Sequence, residues 1–135
     1  MLTCDTSGLF AALDRRDVNH RAARSLLDED AGPYLVPAGI MAEIAYLIEM
    51  RLGPRVLDAF LGDLESGAFS LDCGEDDLPR VRELVGRYAD LPLGFADAAV
   101  IACAERSSGR VLSFDRRHFV LVAREGRISV IPETR

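Results

Sequence analysis

The chain has 135 residues, 49% hydrophobic and 28% charged, with a net charge of −6, which is the profile of one ordinary globular domain over residues 1–135 and excludes fibrous and disordered classes. All 16 basic residues are arginine; this removes the lysine of a Walker loop, any Schiff base and any lysine general base, while keeping the bidentate arginine fork suited to phosphate. No apolar run is long enough to cross a bilayer and no signal segment opens the chain, so the expectation is a cytoplasmic protein that does not associate with membranes.

Met1 to Asp5 reads as a short buried strand ending in an acid, followed by Thr6-Ser7-Gly8 and a helix through Leu13. Asp17 to Leu27 has the spacing of an amphipathic helix, with His20 packing on a neighbour near its start. After a loop at Asp28-Glu29-Asp30 and Gly32-Pro33, Tyr34 to Val36 is a strand. A helix runs from Ile40 to Leu52, stopped by Gly53, and Pro54 opens another through Glu65. Phe69 to Cys73 alternates as a strand does, and Glu75, Asp76 and Asp77 cap a helix ending at Tyr88. The stretch from Phe95 to Arg106 has no polar stripe and reads as a helix buried all round. Arg110 to Phe114 is a strand terminated by Asp115, a helical turn covers Arg116 to Phe119, and Arg127 to Pro132 is the last strand. Alternating strands and helices predict an α/β fold of three layers, a parallel sheet flanked by helices. Cys4, Cys73 and Cys103 are odd in number, lack metal-type spacing and read as reduced thiols.

Four carboxylates are out of place. Asp5 and Asp115 end strands, where open α/β sheets place their ligands. Glu43 and Asp97 interrupt apolar helix sequence, and a carboxylate buried alone is expensive. The local alternatives are that Asp5 or Thr6 caps the first helix, that Asp97 caps its own, and that Glu43 is a snorkelling surface acid. If the fold brings the four within about 5 Å, each ionised pair repels by about 3 kcal/mol at an effective dielectric of 20. A cluster of that kind persists with bound cations, and all-oxygen donors select magnesium or manganese. Neutralising one member, Asp97→Asn, is then expected to relieve repulsion. The long intervals between the four carry no local geometry.

The Asp5-Thr6-Ser7 opening, Ala42-Glu43, Leu93-Gly94-Phe95-Ala96-Asp97-Ala98 and Leu112-Ser113-Phe114-Asp115-Arg116-Arg117-His118-Phe119 resemble, in order, the four acidic motifs of PIN-domain ribonucleases, in particular the VapC toxins of toxin–antitoxin pairs. The resemblance implies an endoribonuclease that uses Mg2+ or Mn2+ to hydrolyse phosphodiester bonds in structured loops of transfer or ribosomal RNA, forms a homodimer and is silenced by a VapB-type antitoxin. It implies that Asp5, Glu43, Asp97 and Asp115 are the catalytic, metal-binding acids, with Thr6, Ser7 and Ser113 as hydroxyl neighbours. Arg116, Arg117 and His118 follow the last acid and are candidates for holding RNA. Discounting the four acids takes the net charge from −6 to −2, which answers the objection that an acidic chain should avoid nucleic acid. Serine at the start of the last motif and phenylalanine within it depart mildly from the family pattern. Two rivals remain: a catalytically silent binding module of the same fold, which retention of four acids disfavours, and a phosphoacceptor receiver-like domain, which normally needs a lysine. The apolar residues Met41, Tyr46, Ile48, Met50, Phe60 and Leu61, more than one buried face requires, mark the expected interface.

Overall fold

The computed structural model describes residues 1–133, so the last two residues of the expected domain lie outside the described residues. The first strand, β1 (Leu2–Cys4), is buried along its whole length and sits at the centre of the sheet. It pairs in parallel with β2 (Tyr34–Pro37) on one side and with β4 (Arg110–Leu112) on the other, so that Thr3 lies opposite both Leu35 and Val111. β3 (Ser70–Asp72) adds in parallel to β2, and β5 (Ser129–Ile131) to β4, giving the order β3-β2-β1-β4-β5. Such a sheet must be covered on both faces, which accounts for the near-continuous apolar character of its strands.

Helices α1 (Thr6–Leu13), α2 (His20–Glu29), α3 (Met41–Arg51) and α4 (Pro54–Ser66) connect strands as the chain moves outward through β2 to β3 and pack on one another. The chain then crosses back through α5 (Leu78–Arg87) and α6 (Phe95–Arg106) to β4, and continues through α7 (Arg117–Ala123) to β5. Right-handed crossovers in the two opposite directions put these groups on opposite faces of the sheet, and α6 accordingly packs against both α5 and α7. The strand order reverses between β1 and β4. In an open parallel sheet the carboxyl ends of two such strands flank a crevice.

Close packing fixes the walls of that crevice. A Cβ on Gly8 would lie 2.3 Å from the Leu112 carbonyl oxygen, so the missing side chain lets α1 rest directly against the end of β4. On the other face, a Cβ on Gly39 would lie 2.7 Å from the Ala99 Cβ, which brings the turn after β2 onto α6. Helix α6 is buried from Ala98 through Ala104 except at Ala99, but its first turn is open: Phe95 is 56% exposed. The expectation of burial all round therefore holds for the body of the helix and not for the turn that carries Asp97.

Charge pairing stabilises the fold outside the crevice. Arg106 forks onto Asp72 at 2.7 Å and Asp77 at 2.8 Å, so Asp77 is an ion-pair partner and makes no capping hydrogen bond to α5. Arg80 bridges Glu105 at 2.6 Å and Glu125 at 2.7 Å. Burial raises the Asp30 pKa, but the N-terminal ammonium, the Gly32 N–H and Arg110 together lower it below the usual range. No helix among the described residues is long and apolar enough to cross a membrane.

Candidate active site

Asp5 leaves the carboxyl end of β1 directly into the crevice. It occupies the N-cap position of α1 in an extended conformation, yet its side chain makes no capping hydrogen bond. The Ser113 and Ser7 hydroxyls instead donate to the same oxygen, Oδ2, at 2.7 and 3.0 Å. Ser7 Oγ in turn accepts the Phe114 and Asp115 N–H groups at 2.9 and 3.1 Å, tying the segment after β4 to the start of α1. This is why the strand ends at Leu112 and not, as its composition predicts, at Phe114: Ser113 turns inward to Asp5. Asp5 is only 6% exposed. Burial pushes its pKa up to about 6 against the opposing effect of the Ser113 and Ser7 hydrogen bonds, and the Asp97 charge adds to the rise.

Glu43 and Asp97 reach the crevice by equivalent routes. Each is the third residue of its helix, Glu43 in α3 and Asp97 in α6. Side chains on a helix lean toward its N-terminus, and both helices begin at the carboxyl edge of the sheet, so both acids are directed to that edge. The partial positive charge of a helix start favours a carboxylate there. Asp115 follows β4 and is 57% exposed, with Arg117 Nε at 3.6 Å from its Oδ1.

All four acids, with Thr6 and Ser7, line one cavity of about 350 Å³. Ser113 supports Asp5 from behind. The donor set is entirely oxygen, the kind that hard divalent cations take. The acids ring the cavity without collapsing on one point: among the described residues, no three acid, histidine or cysteine side chains are grouped closely enough to hold an ion. Glu43 and Asp115 are exposed and free to turn, while Asp5 is fixed by its hydroxyls. The donors fit a hard cation in chemistry, with Asp5 as the rigid member of the set.

The three basic candidates after Asp115 part company. The Arg116 guanidinium donates to the Pro132 carbonyl and, at 3.3 Å, to that of Val130, which fastens the segment after β4 to β5. Arg117 is exposed to 83% beside Asp115. His118 Nδ1 lies 2.7 Å from Asp97 Oδ2. The same cavity also has walls that sequence reasoning passed over: Phe10, Asp17, Asn19, Leu47, Arg51 and Phe114. The spacing predicts a helix from Asp17, but α2 starts at His20 because the Asp17 carboxylate accepts the Asn19 N–H at 2.8 Å and closes a turn instead. No sequence signal distinguishes that turn from a helix start. His20, as expected, packs on a neighbour, with Nδ1 2.8 Å from the Ala11 carbonyl.

Comparison with known proteins agrees with this architecture. The PIN domain family model matches residues 2–125. Ribonuclease VapC26 of Mycobacterium tuberculosis is 36% identical over 132 residues, covering 95% of this chain and 98% of that protein. The crystal structure of Mycobacterium tuberculosis VapC20, a sarcin-ricin loop cleaving toxin, superposes with a TM-score of 0.78 over 90% of this chain and 95% of that one; at 20% identity it speaks for the fold alone. With its four acids gathered at the switch point of a parallel sheet and both family comparisons spanning nearly its whole length, this chain belongs to the PIN-domain family, within its VapC group.

Proposed function

We propose that this protein is a divalent-metal-dependent endoribonuclease, the toxin of a type II toxin–antitoxin pair, acting in the cytoplasm on structured loops of transfer or ribosomal RNA. The observation that carries the reading is the cavity lined by Asp5, Glu43, Asp97 and Asp115, with a buried carboxylate at its base whose neighbours are hydroxyls and other acids. In this reading the four acids hold Mg2+ or Mn2+, which supplies Lewis-acid polarisation of the scissile phosphodiester and activation of water. Ser7 and Ser113 fix the Asp5 carboxylate, Thr6 lines the floor, and His118 orients Asp97. Arg117, exposed beside Asp115, is the member of the Arg116-Arg117-His118 run open to RNA, since Arg116 is engaged by backbone carbonyls. Hydrolysis by an activated water leaves a 5′-phosphate and a 3′-hydroxyl.

The 36% identical relative is named a ribonuclease, which supports the reaction class. The antitoxin and the homodimer are supported by the apolar surface of α3 and α4. Ile48 and Phe60, which sequence reasoning counted toward an interface, belong to the core, but Tyr46, Met50 and Leu61 are 62%, 67% and 46% exposed.

The test is cleavage of total transfer and ribosomal RNA by the wild type in Mg2+, in Mn2+ and in chelator, against Asp97→Asn. The expected outcome is metal-dependent cleavage at defined positions that Asp97→Asn abolishes while its circular dichroism stays native. Cleavage that persists in chelator, or in the folded Asp97→Asn variant, overturns the reading.

A further inference from the structure

The acid cavity has a neighbour. A second, larger depression of about 660 Å³ lies beside it, lined by Leu13, Asp14, Arg15, Arg16, Arg51, Leu52 and Val56. Arg51 belongs to the walls of both. Its guanidinium lies 5.6 Å from the centroid of the Phe10 ring, which holds it between the two without engaging a carboxylate. Arg15 and Arg16 are exposed at the far end of α1.

These three cations are grouped along two adjoining cavities and carry no ion pair. Arg80, Arg87, Arg106, Arg110, Arg117 and Arg127 are each within ion-pair distance of a carboxylate. Among the described residues, Arg15, Arg16 and Arg51 have no such partner, nor do Arg21, Arg24, Arg55, Arg82, Arg116 and Arg124, but of these nine only the first three line the acid cavity or the depression beside it. The acid beside them, Asp14, accepts the Arg16 backbone N–H at 3.0 Å and closes the turn, so one carboxylate opposes three guanidinium groups. Helix α1 separates Asp5 at its start from Arg15 and Arg16 beyond its end, a length of about 12 Å for eight residues. Arg15 and Arg16 line the second depression and not the acid cavity. They are placed to meet another phosphate of the same strand.

We propose that Arg15, Arg16 and Arg51 form a track that grips the phosphodiester backbone of the RNA strand away from the cleaved bond, with Arg51 as the link between track and acid cavity. The assignment rests on the ribonuclease reading for the identity of the ligand. It resolves the charge problem of the site: five acids, counting Asp17, line the cavity and repel an approaching strand, and a row of unpaired guanidinium groups alongside supplies the attraction the acids cannot. Arginine forks suit this task because they take phosphate oxygens in pairs.

The test measures binding of a fluorescein-labelled single-stranded uridine RNA of about 12 nucleotides by anisotropy over a salt series, in an Asp97→Asn background so that the strand stays intact. Each phosphate contact on a single strand contributes about 0.7 to the slope of log affinity against log salt. Arg15→Ala with Arg16→Ala is expected to lower that slope by about 1.4, and affinity by about 25-fold near 0.1 M salt, if both contacts are lost. Arg15→Lys with Arg16→Lys should keep most of the slope. Arg24→Ala with Arg82→Ala removes the same charge from exposed, unpaired positions that line neither cavity, and should leave the slope nearly intact. An unchanged slope in the Arg15, Arg16 double variant overturns the track, as does an equal loss in the Arg24, Arg82 control. Parallel cleavage of total RNA by the protein with Asp97 intact separates the two readings. Cleavage with an unchanged slope rejects the track alone, and no cleavage with the predicted fall in slope keeps the track and rejects the ribonuclease.

Discussion

Replacing Asp5 by asparagine tests whether the buried acid is a site that the fold tolerates at a cost or a structural support. Burial moves the Asp5 pKa from 3.8 to about 6, and a displacement of that size corresponds to about 3 kcal/mol. The sign follows from linkage. The folded state holds the proton more tightly than the unfolded chain, so the contribution of this group to stability is fully present below pH 3.8 and is lost as pH rises through about 6. Near neutral pH, without metal, the ionised Asp5 therefore destabilises the fold by up to about 3 kcal/mol. Asparagine has nearly the same shape, offers an oxygen to the Ser7 and Ser113 hydroxyls, and carries no charge. Asp5→Asn is expected to melt about 10 °C above the wild type near neutral pH in chelator, and the gap should close near pH 4 as the wild type takes up its proton. Mg2+ should raise the wild-type melting temperature by mass action and leave the variant almost unmoved. Thermal melts by circular dichroism across this pH range, with and without metal, provide the comparison. A variant that melts lower than the wild type near neutral pH, by a margin that persists near pH 4, would refute the reasoning and return Asp5 to the role of a structural hydrogen-bond acceptor.

At Glu125, burial alone raises the pKa, but hydrogen bonds from Tyr88, Arg80 and Arg87 outweigh it and bring the group to about 2. Its stabilisation is therefore present above pH 4.5 and lost as pH falls toward 2, so Glu125→Gln should weaken the fold in urea near neutral pH by an amount that fades with acidification; a penalty independent of pH would contradict this. For Gly8→Ala, the gain in helix propensity of about 1 kcal/mol is outweighed, because overpacking costs about 1 to 3 kcal/mol where side chains can yield and here the obstacle is the Leu112 carbonyl. The variant should have a lower urea midpoint than the wild type, and a raised midpoint would show that α1 does not rest on β4 as described. Sedimentation should give a dimer at micromolar concentration that Tyr46→Ser with Met50→Ser weakens or whose antitoxin binding it abolishes; a wild-type monomer that captures no co-expressed antitoxin counts against both partners.

The elements were legible because their signals are local. The apolar runs at Leu2 to Cys4 and Val111 to Leu112, the stop at Gly53 and the proline start at Pro54 each report on a few neighbouring residues, and the strands and helices fall where those signals put them. Boundaries slipped where a side chain competes with the backbone, at Asp17 and at Ser113, since nothing in the adjacent sequence says that the hydroxyl of Ser113 has Asp5 to bond. The extent of α7 was also missed: a single turn was expected, and Phe119 and Val122 prolong it to Ala123 by packing in the core. The grouping of the acids lay beyond composition and periodicity altogether. It depends on strand order, and the placement of β1 between β2 and β4 is a property of the whole chain.

The same distinction applies to charge. A net value of −6 describes the average surface, but a strand of RNA meets local fields that decay within about 10 Å at moderate salt. The fold sorts its charges before any partner arrives. On one side Arg80, Arg87 and Arg106 are neutralised by Glu83, Glu105, Glu125, Asp72 and Asp77. At the carboxyl edge the acids stand without matching arginines, save the exposed Arg117 beside Asp115 and the Asp97 contact with His118. Asp97 thus has a partner that sequence reasoning did not give it, which moves the expected relief of repulsion from Asp97 to Asp5. Removing Asp97 also strips His118 of its acceptor, so its effect on stability mixes two terms of opposite sign. Asp5, bonded through hydroxyls that carry no charge, is the acid at which the cost of assembling this site can be measured cleanly.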